Sequence, residues 1–288
     1  MAGSVSRSFR LLNASWSILG RDPKLLIPPL VSFVASIGVA VVFYGSGFLH
    51  ATAGHAGLLD ILTLYLFYAC IAFIGISCNS VVVAVAMERL AGRDATLADG
   101  WAVVRRRMPQ VLGWALVSAT VGVIMRIVQE RLGLVGLIAT LVGNLAWALA
   151  TFFVVPVLLF EPVDVRGAIK RSAKVFRDRW GEQVTAQLAI GAGLVVVWIP
   201  LMAIGAMLLL VSIPLGVVVL VAGFVAAVTV SETLNQIFTA ALYRYAVTGA
   251  VPPGMDESDF TSIIKPRKFG FRRRPTPPGS TPLRPDLP

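Results

Sequence analysis

The chain predicts an all-α fold: a polytopic membrane helical bundle of six transmembrane helices with three amphipathic interfacial helices on the cytoplasmic side. Three observations predict it. Apolar residues make up 57% of the 288 positions and charged residues only 14%, whereas soluble domains run about a quarter charged. The mean hydropathy is +0.81, and the apolar residues fall in blocks long enough to cross a hydrocarbon core of about 30 Å. With six crossings, every one of the 25 Lys and Arg residues except Arg126 and Arg131 falls on one side. The positive-inside bias makes that side, and both termini, cytoplasmic.

The first span is expected near 25–49, behind the break at Asp22-Pro23, with Pro28 and Pro29 in its first turn, where a missing N–H costs least. It is longer than a secretory h-region of about 7–15 residues and is read as retained. The second span is expected near 58–87, the third near 109–128 and the fourth near 132–160, with Pro156 close to its end. The fifth is expected near 184–210, with Pro200 as a kink, and the sixth near 215–245 after the turn Ser212-Ile213-Pro214. The external connections, His50 to Gly57, Gln129 to Arg131 and Ser212 to Pro214, are short. The sixth segment would be about 45 Å long as one helix, so its polar end from Ser231 onward is expected in the cytoplasmic interface. Cys70 and Cys78 lie about 12 Å apart along one helix, too far for a disulfide, so two free thiols are expected.

A short segment with one apolar stripe precedes each outward-going span. The stripes are Val5, Phe9, Leu12, Trp16 and Leu19; then Leu97, Trp101, Val104 and Met108; then Val165, Ile169, Ser172, Phe176 and Trp180. Spacings of three and four place each set on one helix face. The opposite faces carry Arg7 and Arg10, then Arg105, Arg106 and Arg107, then Lys170, Lys174 and Arg177. Thr96 with Asp99 forms a capping box, and Asp164 is placed to cap the third helix. Two compatible readings follow: the helices lie in the headgroup plane, or their stripes pack on the ends of the spans. One such helix plus a transmembrane hairpin makes a unit used three times.

Residues 1–250 thus form the membrane domain. The tail 251–288 holds nine of the 17 prolines and the run Arg272-Arg273-Arg274, and no fixed structure is expected from about residue 270. Its basic residues act as a topology determinant, and could also hold the tail against an anionic leaflet.

Ionisable groups at membrane depth are the candidate functional residues. Glu232, Asn235 and Gln236 form a polar cluster on about one face of the sixth span. Arg126 and Glu130 are spaced to pair at the outer end of the third span. Asp60 lies near the outer end of the second, and Asn79 and Asn144 are placed to hydrogen-bond between helices. Close helix approach is expected at Gly223 with Ala227, Ala222 with Ala226, Ala189 with Gly193 and Ala146 with Ala150. His50, His55 and Asp60 sit around a Gly/Ala-rich loop that offers a metal neither fixed ligands nor a second shell, so no metal site is expected. With no nucleophile elbow, P-loop, HExxH or CxxC pattern, neither a catalytic residue nor a cofactor is expected.

The opening Ser8-Phe9-Arg10-Leu11-Leu12, Ser15-Trp16 and Arg21-Asp22-Pro23, and the closing Ala241-Leu242-Tyr243-Arg244-Tyr245-Ala246 with Gly249, resemble an uncharacterised prokaryotic family of six-span integral membrane proteins of unknown function. The resemblance covers roughly residues 4 to 267. The stretch Arg166 to Gly181 is distantly similar to the membrane domain fused to some glycerophosphodiester phosphodiesterases, but no catalytic domain accompanies it here. The resemblance implies a fold and a location, and transfers no active residue.

The expected function is a non-enzymatic integral membrane protein of the cell inner membrane. Its basic cytoplasmic face, including Arg105, Arg106, Arg107, Lys170, Lys174, Arg177, Arg272, Arg273 and Arg274, would engage anionic lipid headgroups. A partner protein or a homo-oligomer is the second partner class, and nucleic acid is not expected, because the formal charge of +10 has a simpler partner in the anionic leaflet. The alternative is a small transporter or channel-like protein using Glu232, Asn235 and Gln236 and the breaks at Pro156 and Pro200.

Overall fold

A computed structural model of the protein describes residues 22–45, 57–180 and 212–249, together with the isolated positions 20, 203 and 207. The first amphipathic segment, the fifth span with Pro200 and the Ala189–Gly193 pair, His50 and His55, and the tail including Arg272, Arg273 and Arg274 lie outside the described residues.

The described elements are all helical. A 3-10 turn Pro23–Leu26 leads into α1 (Ile27–Gly45), followed by α2 (Leu58–Leu90), α3 (Leu97–Arg106) and the helical run α4 (Met108–Thr151). After it come α5 (Val154–Phe160), α6 (Val165–Trp180) and α7 (Ile213–Thr248). Four stretches are long and apolar enough to cross a membrane: Pro23–Gly45, Leu58–Leu90, Met108–Phe160 and Ile213–Thr248.

The third stretch is a hairpin. Gly133 has φ 52° and ψ −126° inside α4, a conformation glycine adopts without steric cost. Beyond it the chain runs back along itself. Trp114 and Trp147 stack with centroids 5.6 Å apart, where a continuous helix would separate them by about 50 Å. The expected loop at Gln129 to Arg131 is thereby corrected. Those polar residues are helical, and the reversal falls on Gly133 because a positive φ, not a charge, is what a tight reversal needs.

The second arm breaks at Phe152-Phe153 and resumes as α5. Pro156 is the cause, since its ring excludes the carbonyl four residues earlier, that of Phe152. The break frees the buried Phe153 N–H, which donates to Ser172 Oγ of α6 at 2.9 Å. Ser172, the one polar member of the predicted third stripe, is fully buried.

Packing is concentrated at one end of the bundle. One cluster joins Leu25, Val81 to Ala86 and Leu90 of α2, Val104 of α3, Val111, Leu159, and Leu234, Ile237 and Ala240 of α7. A second joins Trp114, Phe153, Val157 and Leu158 to Ala168 and Val175 of α6 and to Leu242, Tyr243 and Ala246 of α7. Toward the other end the helices turn apolar side chains outward, among them Val34 and Val41 of α1, Leu59 of α2, Leu134 and Ile138 of α4, and Val218 of α7. Phe33 against Phe224 and Phe43 against Phe67 place α1 beside both α7 and α2.

Helix α3 is turned relative to its predicted stripe. Gly100 and Val104 are buried, whereas Trp101 is 44% exposed. Glycine carries no hydropathy signal, so periodicity chose Trp101. The close approach to α2 chose Gly100, where an added Cβ would meet Val85 Cγ2 at 2.7 Å and Val81 O at 2.9 Å. Gly100→Ala is therefore expected to destabilise by roughly 1–3 kcal/mol through overpacking, despite alanine's better helix propensity. A lowered melting temperature in detergent checks it, and an unchanged or higher one refutes it.

Candidate functional site

The packed end holds two charged nodes and the polar contact of α2 with α7. The predicted cluster on α7 is only partly assembled. Glu232 is half-buried and its Oε2 accepts from Asn79 Nδ2 of α2 at 3.5 Å. Gln236, one turn on, also hydrogen-bonds Glu232. Asn235 is exposed and turned off this face, because three residues past Glu232 the helix has rotated by about 300° and carried it to the rim. Asn79 thus takes the place expected for Asn235. Buried nearby along the same two helices are Ser80 on α2, and Thr229 and Thr233 on α7.

Two nodes of charge were not read from the sequence. In the first, Arg89 at the end of α2 donates through Nη2 to Asp22 and, through Nε and Nη2 at 3.1 and 2.8 Å, to the Ala95 carbonyl. Asp22 also accepts from the Lys24 N–H at 3.0 Å and so caps the turn before α1. One guanidinium therefore joins the entry to α1, the end of α2 and the approach to α3. A cleft of about 930 Å³ opens beside it, lined in part by Lys24, Gly92, Arg93, Asp94 and Ala98. Arg93 pairs with Glu88. At α3 the predicted capping box is present: Thr96 N–H donates to Asp99 at 2.9 Å and Asp99 N–H to Thr96 Oγ1 at 3.3 Å. Hydrogen bonds from the Thr96 hydroxyl and N–H hold the Asp99 carboxyl below its ordinary range.

In the second node Glu161, just past α5, accepts from Arg171 Nε at 3.0 and 3.2 Å and from the Tyr243 hydroxyl at 2.7 Å. It ties α5, α6 and α7 together above the Phe153–Tyr243 ring contact of 6.0 Å. The signal available was the position of Glu161, the acid closing the fourth apolar block, ahead of a basic helix. Its partner on α7 is 82 residues away and left no local trace.

The basic residues separate by face. On α6, Arg166, Lys170, Lys174 and Arg177 are exposed along one side, while Ala168, Ser172 and Val175 are buried on the other. Asp164 caps this helix through the Gly167 N–H at 2.9 Å. On α3, Arg105 and Arg106 are exposed and Arg107 is half-buried at the junction with α4. On α6 the buried Ala168, Ser172 and Val175 pack on protein, whereas on α3 Gly100 and Val104 are covered and Trp101 is exposed. Elsewhere, Asp60 caps α2 by accepting from the Gly57 N–H at 3.0 Å, Arg126 pairs with Glu130 at 2.7 Å, and both cysteines are free. Among the described residues no group of three His, Cys, Asp or Glu side chains is placed to hold a metal.

The fold defines a class: an all-helical protein, among its described residues, whose long apolar helices have the dimensions of membrane spans. The chain belongs to a family of unknown function, DUF6159, whose model matches residues 58–252. It matches no curated protein and no solved structure.

Proposed function

We propose that this is a non-enzymatic multi-pass protein of the cell inner membrane that crosses six times, keeps both termini in the cytoplasm and binds anionic headgroups with its basic cytoplasmic face. Five crossings correspond to α1, α2, the two arms of the α4 hairpin and α7, and the sixth to the apolar block 184–210. The packed end is the cytoplasmic end in this reading. Both α2, with 33 residues, and α7, with 36, are longer than a layer of about 30 Å requires, and their surplus lies where the charged residues gather.

The observation that carries the proposal is the exposed row Arg166, Lys170, Lys174 and Arg177 on a helix whose apolar face is already packed on protein. The covered side of α6 thus turns this basic row outward, and each basic residue near an anionic surface contributes about 1 kcal/mol. The distant similarity to a membrane domain fused to phosphodiesterases fits a non-catalytic membrane module. Replacing Lys170, Lys174 and Arg177 by Gln is expected to lower co-purifying anionic lipid severalfold without changing the melting temperature. Unchanged anionic lipid content would reject the proposal.

A transporter is the second reading, and the Asn79–Glu232–Gln236 contact favours it by placing a carboxylate between α2 and α7. It requires a hydrated path to Glu232, and solute flux in proteoliposomes that is lost in Glu232→Gln would support it.

A further inference from the structure

A second cleft lies near the apex of the α4 hairpin, away from the basic face. It has a volume of about 640 Å³, and its polar lining comes from three helical segments: Tyr68 of α2, Arg126, Gln129 and Glu130 of the first arm, and Thr140 and Asn144 of the second. Arg126 Nε lies 2.7 Å from Glu130 Oε1 and the same guanidinium hydrogen-bonds Tyr68. Counting from Gly133, Arg126 lies about 10 Å and Asn144 about 16 Å below the apex. Measured from Met108, the first arm is about 37 Å long, so Arg126 falls at the outer edge of a hydrocarbon core of about 30 Å.

Helix stability does not account for the ion pair. Glu130 sits in the last turn before the reversal, where the helix dipole disfavours a carboxylate, and the order Arg then Glu is the weaker one at this spacing. The two charges also cancel, so the cleft selects neither an anion nor a cation. It offers one charge of each sign close together, flanked by two amides and a phenol. Elsewhere on the same two arms Ile124, Leu141 and Leu145 are apolar and exposed, a surface suited to acyl chains.

We propose that this cleft binds a zwitterionic phospho-amine headgroup, with the phosphate against Arg126 and the ammonium against Glu130. Asn144 and Gln129 supply the remaining hydrogen bonds. A lipid of the outer leaflet is the source that the exposed apolar side chains of the hairpin arms favour, and that placement rests on the six-span topology proposed above.

The test uses the full chain in micelles and native mass spectrometry. Phosphatidylethanolamine and phosphatidylglycerol are offered separately, with glycerophosphoethanolamine as the soluble competitor. One phosphatidylethanolamine is expected to persist under activation that strips phosphatidylglycerol. The double variant Arg126→Gln, Glu130→Gln is expected to lower that retention about tenfold, the scale of a lost charge-assisted hydrogen bond. Asn144→Leu, which leaves the ion pair intact, is expected to lower it severalfold at an unchanged melting temperature. Displacement by the soluble competitor would support the headgroup site and identify a free zwitterion as its ligand. Equal retention of both lipids, or full retention in the double variant, would overturn the proposal. Separately, Arg131→Cys is expected to react with a membrane-impermeant maleimide on intact cells. Failure there, with the headgroup retention intact, would overturn the outer-leaflet source alone.

Discussion

Arg89→Met is expected to destabilise the protein by about 2–4 kcal/mol, the largest effect of any single substitution considered. The guanidinium is 28% and Asp22 17% exposed, so the ion pair is largely shielded. Removing one partner of such a pair leaves the other charge poorly solvated. Methionine keeps the stem of the side chain but removes both donors to the Ala95 carbonyl, which adds an unsatisfied acceptor. The consequence is spread over three elements, because Asp22 also caps the turn before α1. Arg89→Lys is expected to recover part of the loss, since an ammonium keeps the charge but cannot bond Asp22 and Ala95 with the same planar fork. Reversible unfolding in mixed detergent micelles measures both variants. A methionine variant as stable as the parent would show that the node ties nothing together.

Ser172→Ala deletes one hydroxyl and is expected to cost roughly 1–3 kcal/mol, the penalty of leaving the buried Phe153 N–H without its acceptor. The contrast with two other buried serines makes this specific. Ser77 Oγ and Ser80 Oγ are buried without a hydrogen-bond partner among the described residues, so their alanine variants are expected to be neutral or slightly stabilising. The three substitutions remove the same atom from comparably buried sites and differ in whether a backbone donor depends on it. Equal melting temperatures for all three variants would refute the role assigned to the Pro156 break.

The legibility of this chain follows the range of the interactions involved. Two helix starts were readable because caps are local: Thr96 with Asp99, and Asp164, act within three residues of themselves. The pairing of Arg126 with Glu130 was readable for the same reason. The end of α7 was placed near Tyr245 and falls at Thr248, where Gly249 adopts φ 70° and closes the helix. Residues such as Glu161 and Tyr243, or Asp22 and Arg89, meet only after the helices pack, and no spacing along the chain encodes their contact. Asn235 and Trp101 show the same limit within a single helix. Periodicity assigned each to a cluster or stripe, and the rotation set by a neighbouring helix placed each at the surface.

Composition and block length alone were sufficient for an all-helical protein with membrane-length apolar helices, because a backbone out of water must satisfy its hydrogen bonds within each segment. What tertiary packing decided was which face of each helix is covered: Gly100 rather than Trp101 against α2, and Ser172 rather than solvent for the Phe153 N–H. Those choices depend on steric fit and on buried donors left over by a proline. Neither has any signature in hydropathy.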